Sequence, residues 1–317
     1  MGNIAKQNQN QKQKQDRNPI KVRHAVITVG LLVIFIWISI AIGMYVNRLE
    51  LTQLGNQSSS QMMGYVLRTS DGKTIVIDGG TVQDADNLKA QILQYGDKVD
   101  VWFLTHPHKD HVGAFITMMT EQTPIEVKKI YVTLNDLEWY QTNEPNRKEE
   151  IENFFKIIEQ EVIKEKIEEV TLGQIIHIGN LKCEILGIKN PEITHNAINN
   201  SSMVIKMYIN QKTILFLGDT GIESSQKLLQ KQSKEKLTAD VVQMAHHGQS
   251  GVIEELYQVI KPKICLWPTP DWLWENNIGT GKNSGPWKTL ETRAWMEKLA
   301  VRQQMIEKDG NQTITIY

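Results

Sequence analysis

The chain has 317 residues, 40% of them hydrophobic, which is enough for one large domain or two smaller ones. Its net charge of -1 is unevenly divided: residues 1–48 hold seven basic residues against Asp16 alone, and the remainder holds 28 basic against 35 acidic. An acidic body argues against non-specific binding to long nucleic acid, which needs a basic surface.

Residues 1–24 are polar, rich in Gln, Asn and Lys, and read as a disordered basic tail on the cytoplasmic side of a membrane. Residues 25–47 hold an uncharged apolar run from Ala25 to Val46. About 20 apolar residues cross a bilayer as a helix, so a transmembrane anchor is expected here. The run is longer than the apolar core of a cleaved signal peptide, and no small-x-small cleavage pattern follows it. The basic excess before it puts the N-terminus in the cytoplasm and the rest of the chain outside the cell.

Residues 48–60 read as a linker and residues 61–317 as the folded body. Gly64–Arg68 and Thr74–Ile77 are expected as paired strands around Ser70-Asp71-Gly72-Lys73, with Asp78-Gly79-Gly80 directly after. Helical spacing over 84–95 stops at Gly96. The apolar run Val99–Leu104 then feeds the densest chemical signal in the chain, Thr105-His106-Pro107-His108-Lys109-Asp110-His111-Val112-Gly113. Beyond it lie a helix from 113, a strand at Ile130–Val132 and one long charged helix over 147–170. Strands follow at 175–178, 181–186, 203–209 and 213–217, the last running into Gly218-Asp219. A strand at Val241–Met244 ends in Ala245-His246-His247-Gly248, and a final strand covers Gln312–Tyr317. Cys183 and Cys265 fall inside apolar runs without metal-site spacing and read as small buried hydrophobes.

Imidazole and carboxylate together form the ligand set of zinc and similar divalent ions. Four such side chains within six residues would be costly to bury without a partner. Asp78, the histidine cluster, Asp219 and His246/His247 each follow an apolar run, and residues at strand ends gather at one sheet edge, where ligands bind. Such a gathering can build a two-metal site, in which a water loses its proton near neutral pH.

These motifs resemble the metallo-β-lactamase superfamily, and within it the branch of the C-terminal hydrolase domain of the competence protein ComEC. The residues that carry the likeness are the cluster itself, Ile77-Asp78-Gly79-Gly80, Asn199-Asn200-Ser201-Ser202, Leu217-Gly218-Asp219 and Asp240-Val241 through His246-His247-Gly248. They span about residues 61–270. The resemblance implies an α/β fold, a four-layer αββα sandwich, here preceded by one N-terminal transmembrane helix. It implies that His106 and His108 hold a first metal, Asp110 and His111 a second, and that Asp219 bridges them. His246 would complete the second site as the residue that ends the strand. Asp110 and His247 would be the catalytic residues, with His247 free to orient substrate or donate a proton. Asp78 and Asn200 would stand behind the ligands. Many family members carry another histidine where this chain has Asn199-Asn200-Ser201, which leaves the first site short of a ligand unless nearby His195 serves it.

Trp272 and Trp274, in a Pro/Asn/Gly-rich loop, are candidate substrate-binding rings. Lys282, in a glycine-rich stretch that does not follow the P-loop pattern, is a candidate contact for an anionic group. The expected cofactor is one or two divalent ions, zinc or alternatively manganese. The expected activity is phosphodiester cleavage on DNA or a nucleotide-like molecule. Alternatives are a phosphocholine or teichoic-acid esterase, a lactonase, and a non-catalytic binding protein with a degenerate site. No protein partner is expected besides the membrane and the substrate.

Overall fold

Alternation along the strands dictates the layers. Tyr65 and Leu67 point to one side of their strand and Val66 to the other; Ile75 and Ile77 do the same around Val76. The computed structural model describes residues 19–121 and 123–317. The chain divides between Val46 and Asn47 into two units.

The first unit is a helix, Pro19–Val46. It starts inside the segment expected to be disordered; the rest of that tail lies outside the described residues. Its described side chains from Ile27 to Ile40 are all exposed. Among the described residues no helix is long and apolar enough to cross a membrane.

Among the described residues the second unit is built on sixteen strands: β1 Leu49–Gln53, β2 Gly64–Thr69, β3 Thr74–Asp78, β4 Lys98–Val99, β5 Val101–Phe103, β6 Glu126–Val127, β7 Ile130–Val132 and β8 Ile167–Glu169, then β9 Ile175–Ile178, β10 Leu181–Gly187, β11 Val204–Ile209, β12 Lys212–Phe216, β13 Val241–Gln243, β14 Ile264–Trp267, β15 Gln303–Ile306 and β16 Gln312–Ile316. One sheet runs β16-β1-β2-β3-β5-β7-β8 and the other β15-β14-β13-β12-β11-β10-β9; β4 and β6 form a small ribbon. Both sheets are antiparallel at one end and parallel at the other, the change falling at β3 in the first and β12 in the second. The inner faces share one core, which joins Tyr65, Ile77 and Phe103 to Ile205, Phe216 and Leu266. The outer face of the first sheet packs Val76 and Trp102 against Leu88, Phe115 and Phe154 of its helices. That of the second packs Leu215 and Trp267 against Leu228, Leu256 and Met296. The result is the expected helix–sheet–sheet–helix sandwich. Cys183 lies in the shared core and Cys265 in the outer one, both as free thiols.

Two expectations are corrected. The linker over 48–60 contains β1, which pairs with both β2 and β16. Leu49 and Leu51 are inward-facing core residues, so this segment is part of the sheet. The long helix over 147–170 is in fact a helix Lys148–Ile158, one turn Glu161–Lys164, and the strand β8. Gln160 is extended (φ -61°, ψ 131°) and ends the helical run, and β8 is claimed by parallel pairing with β7.

Candidate metal centre

The parallel strands β3, β5, β12 and β13 deliver their following residues to one edge. Asp78 closes β3 with φ 52°, a left-handed conformation that turns its carboxylate under the histidine loop. Thr105 donates to it twice, from its backbone N–H to Oδ1 and from its hydroxyl to Oδ2, both at 2.7 Å. His111 Nδ1 lies 2.7 Å from the same Oδ2. The carboxylate therefore holds the Nδ1 proton and leaves His111 Nε2 bare toward the centre. The Thr105 hydroxyl, its hydrogen spent on Asp78, accepts from His106 Nδ1 at 3.1 Å, and Ser202 Oγ lies 3.3 Å from the same nitrogen. His106 thus also presents Nε2.

Two ligand groups result, one of His106, His108 and Asp219 and one of Asp110, His111 and His247, with the donor atoms of each within 4.8 Å of one another. Asp219 reaches both: its Oδ2 is 3.8 Å from His106 Nε2 and 3.4 Å from His247 Nε2, and its Oδ1 is 3.3 Å from His111 Nε2. His247 Nε2 is also 3.2 Å from Asp110 Oδ2. His108 Nε2, His111 Nε2, His247 Nε2 and Asp219 Oδ1 are buried without a hydrogen-bond partner among the described residues. Buried polar atoms are normally paired. Orphans of this type converging on two points fit divalent cations, which take imidazole nitrogen and carboxylate oxygen.

The electrostatics are those of a tightly coupled set. Burial drives His106 well below the ordinary imidazole value and His108 to about 4. Burial also opposes the charge on His111 and His247. Asp219 and Asp78 nevertheless raise His111 to about 10, and Asp219 and Asp110 raise His247 well above its usual range. Asp110 and Asp219 pay desolvation too, but His247 and His111 hold both well below the carboxylate range. The carboxylates thus favour positive charge in this closed space, which divalent cations held by the Nε2 atoms would supply.

The paired histidines reverse the sequence expectation. His246 and His247 both adopt left-handed backbone (φ 50° and 55°), and Gly248 follows at φ 73°. A Cβ on Gly248 would come within 2.4 Å of the Trp267 ring. This turn swings His247 inward: its Nδ1 lies 2.8 Å from the Pro268 carbonyl, to which it donates, and its Nε2 joins the second group. His246 is turned toward the open cleft, beside Asn199 at 3.3 Å and the Ser250 carbonyl at 3.4 Å. His247 belongs to the second group, and His246 to neither. Asn200 is also displaced from its expected place. Its amide is spent on the His195 carbonyl, Glu223, and the N–H and hydroxyl of Ser224. Asn199 occupies the cleft instead, with its Oδ1 unpaired among the described residues. His195 is exposed and pairs with Glu223 at 2.8 Å, away from the centre.

A cleft of about 390 Å³ opens over both groups. Trp272 lines it, anchored by its Nε1 donating to the Ser59 carbonyl at 2.6 Å. Trp274 does not: it is buried edge-on against Trp267 and capped by Arg293, 4.0 Å from the ring. Lys282 pairs with Glu275 at 2.6 Å and is absent from the lining. Gln243 was missed from the sequence. It is buried at the end of β13, where its Oε1 accepts from the N–H groups of Leu217 and Gly218 at 2.8 Å. Its Nε2 donates to the carbonyls of Gly218 and Met244. An amide inside the apolar run Val241–Met244 was the available signal. Gln61 was missed as well; it donates to Asp110 Oδ2 at 2.9 Å.

A family model described as the metallo-beta-lactamase superfamily matches residues 63–263. No curated protein matches the chain. Among solved structures, the metallo-beta-lactamase fold protein YhfI from Bacillus subtilis is 13% identical, with a TM-score of 0.51 over 85% of this chain and 99% of its own. The CmlA beta-hydroxylase is 12% identical with a TM-score of 0.52, over 84% of this chain and 54% of its own. A diphosphatase from the PhnP family is 14% identical, with a TM-score of 0.45 over 85% and 98%. At such identities the first two show a likeness of fold alone.

Proposed function

The chain belongs to the metallo-beta-lactamase superfamily, and from that premise we propose that this metal-dependent hydrolase cleaves phosphodiester bonds in DNA or a nucleotide-like molecule. The observation that carries the reading is the pair of ligand groups joined through Asp219. Two-metal sites of this kind suit in-line displacement at phosphorus. The motif order, with its likeness to the ComEC hydrolase domain, supports the phosphodiester choice.

When bound, divalent ions supply Lewis-acid charge and a water of lowered pKa. The chain's residues do the rest. Asp78 and the Pro268 carbonyl fix the tautomers of His111 and His247, so each presents Nε2. Gln243 holds the Asp219 loop in place. Burial lowers His246, so at neutral pH it is a neutral imidazole on the cleft wall, able to orient a substrate oxygen by one N–H.

The test is turnover of bis-p-nitrophenyl phosphate and of DNA by the full chain loaded with zinc or with manganese. No turnover with either metal sinks the reading. An unchanged rate in the double variant His108→Ala, Asp219→Asn assigns any activity to something else. Asn199 lines the cleft within the Asn199-Asn200-Ser201 segment, where many family members carry another histidine, and this favours a second reading: a protein that keeps one ion and binds without turnover. A metal content of one per chain together with no turnover supports it.

The exposed apolar stretch Ile27–Ile40 and the basic excess before it support a place in the cell membrane, with the hydrolase unit on the outer side. Protease added to intact cells should then remove the unit after Asn47; full protection overturns the orientation.

A further inference from the structure

The cleft lining is not uniform. Lys109 opens the helix Lys109–Thr120, and Arg147 stands just before the helix Lys148–Ile158; both line the cleft with His108 and Asp110. The guanidinium is close enough to His108 to disfavour its protonation. One acid, Glu150, faces both cations. It lies 3.5 Å from Arg147, with its side chain 17% exposed, and the charge of Lys109 acts on it as well. Asp110 and Asp219 also border this region, but both are committed to the ligand groups. Two cations against one largely buried carboxylate leave this part of the cleft positive. Elsewhere in the lining, Trp272 is held rigid by Ser59 and by Trp287, whose ring centroid is 4.7 Å away.

We infer that Lys109 and Arg147 form a second-anion site beside the scissile bond. The diester to be cut lies over the ligand groups. A neighbouring phosphate of the same substrate is held by the ammonium and the guanidinium, and a flat ring rests on Trp272. This rests on the phosphodiesterase reading and narrows it to a nucleotide-like diester that carries a further phosphate. A quaternary amine such as choline meets like charge on the same wall, which disfavours the phosphocholine alternative.

The experiment compares two thymidine dinucleotides with the same scissile diester, one carrying a 5′-phosphate and one without. The full chain, loaded with zinc or manganese, is expected to cleave the phosphorylated one with a kcat/KM at least tenfold higher. Lys109→Ala and Arg147→Ala should each lower that ratio, and the double variant should bring it near one. Lys282→Ala, outside the cleft, should leave the ratio unchanged. Both cleft side chains reach solvent, Arg147 with 44% of its side chain exposed, so neither change removes a core contact. Binding gives an independent readout. Thymidine 3′,5′-bisphosphate should bind at least tenfold more tightly than thymidine 5′-monophosphate, and the double variant should erase the difference. Equal cleavage of both dinucleotides, or a binding difference that survives the double variant, overturns the second-anion site and leaves the phosphodiesterase reading standing. Cleavage of neither, with a binding difference that depends on Lys109 and Arg147, does the reverse.

Discussion

His246 and His247 are neighbours of the same chemical type, and the backbone gives them different tasks. Both sit at positive φ, where a residue with a Cβ costs about 1–3 kcal/mol, a strain the structure retains to aim one ring inward and one at the cleft. His247→Ala should therefore lose the ion of the Asp110–His111 group, lowering metal content and cutting turnover by about two orders of magnitude or more. His246→Ala should keep its metal content. Elemental analysis of the two purified variants decides between them. The sequence could not show this, because it does not write the sign of φ and either histidine ends the same apolar run. Asp78, the H-x-H-x-D-H cluster and Asp219 were legible, since each is a charged or ligand-type residue directly after a hydrophobic strand. Trp272 could not be told from Trp274, nor Lys282 placed, because loop packing decides exposure there. Glu307 is a further case. It is fully buried, with neither oxygen paired among the described residues, and burial raises its pKa well above the ordinary value. An acid with a raised folded pKa favours the fold below its unfolded value of about 4.3, and that contribution is lost as pH rises through the folded value, at up to about 1.4 kcal/mol per pH unit. Glu307→Gln carries no such proton. Its melting temperature should thus gain on the parent's from pH 5 to pH 8; a constant difference would refute the assignment.

The strand ends are fixed by side chains that themselves never face the cleft. Gln243 ties the end of β13 to the turn after β12 with three hydrogen bonds, and a fourth goes to the Met244 carbonyl. Replacing it by leucine leaves two buried N–H groups without an acceptor. Each such group costs about 1–3 kcal/mol. Gln243→Leu should lower stability by roughly 2–6 kcal/mol and loosen Asp219, which a urea unfolding curve and a metal titration would register together. An unchanged unfolding midpoint would show that the clamp is dispensable. Most elements were legible from alternation alone, because a strand buried on one or both faces writes its period into the sequence. Two were not. β1 has only five residues, Leu-Glu-Leu-Thr-Gln, and its identity comes from pairing with β16, some 260 positions away. β8 reads as the tail of a charged helix, and parallel pairing with β7 overrides that local preference.

At the scale of the whole molecule, the position of β1 sets where the chain can be cut. A chain beginning at Asn47 keeps every strand of the second unit and should melt cooperatively. One beginning at Gln61 removes β1 from between β2 and β16, severs β16 from its sheet and bares new edges. It should aggregate or unfold at a markedly lower temperature, as light scattering and calorimetry would show; equal melting would mean that β16 closes directly on β2. The layered architecture was legible through the family resemblance that the motifs and their order carry. The strand order was not, since it depends on contacts between distant segments. Each ligand group also draws on both sheets: His106, His108, Asp110 and His111 follow β5 of the first, while Asp219 and His247 follow β12 and β13 of the second. An ion held there is a rivet through the sandwich. Ligand binding to the native state alone adds about 4 kcal/mol of stability at a thousandfold excess over Kd. Chelation should accordingly lower the melting temperature with no substrate present, and readdition should restore it. For a cell short of the metal, the casualty is then the lifetime of the protein as well as its rate.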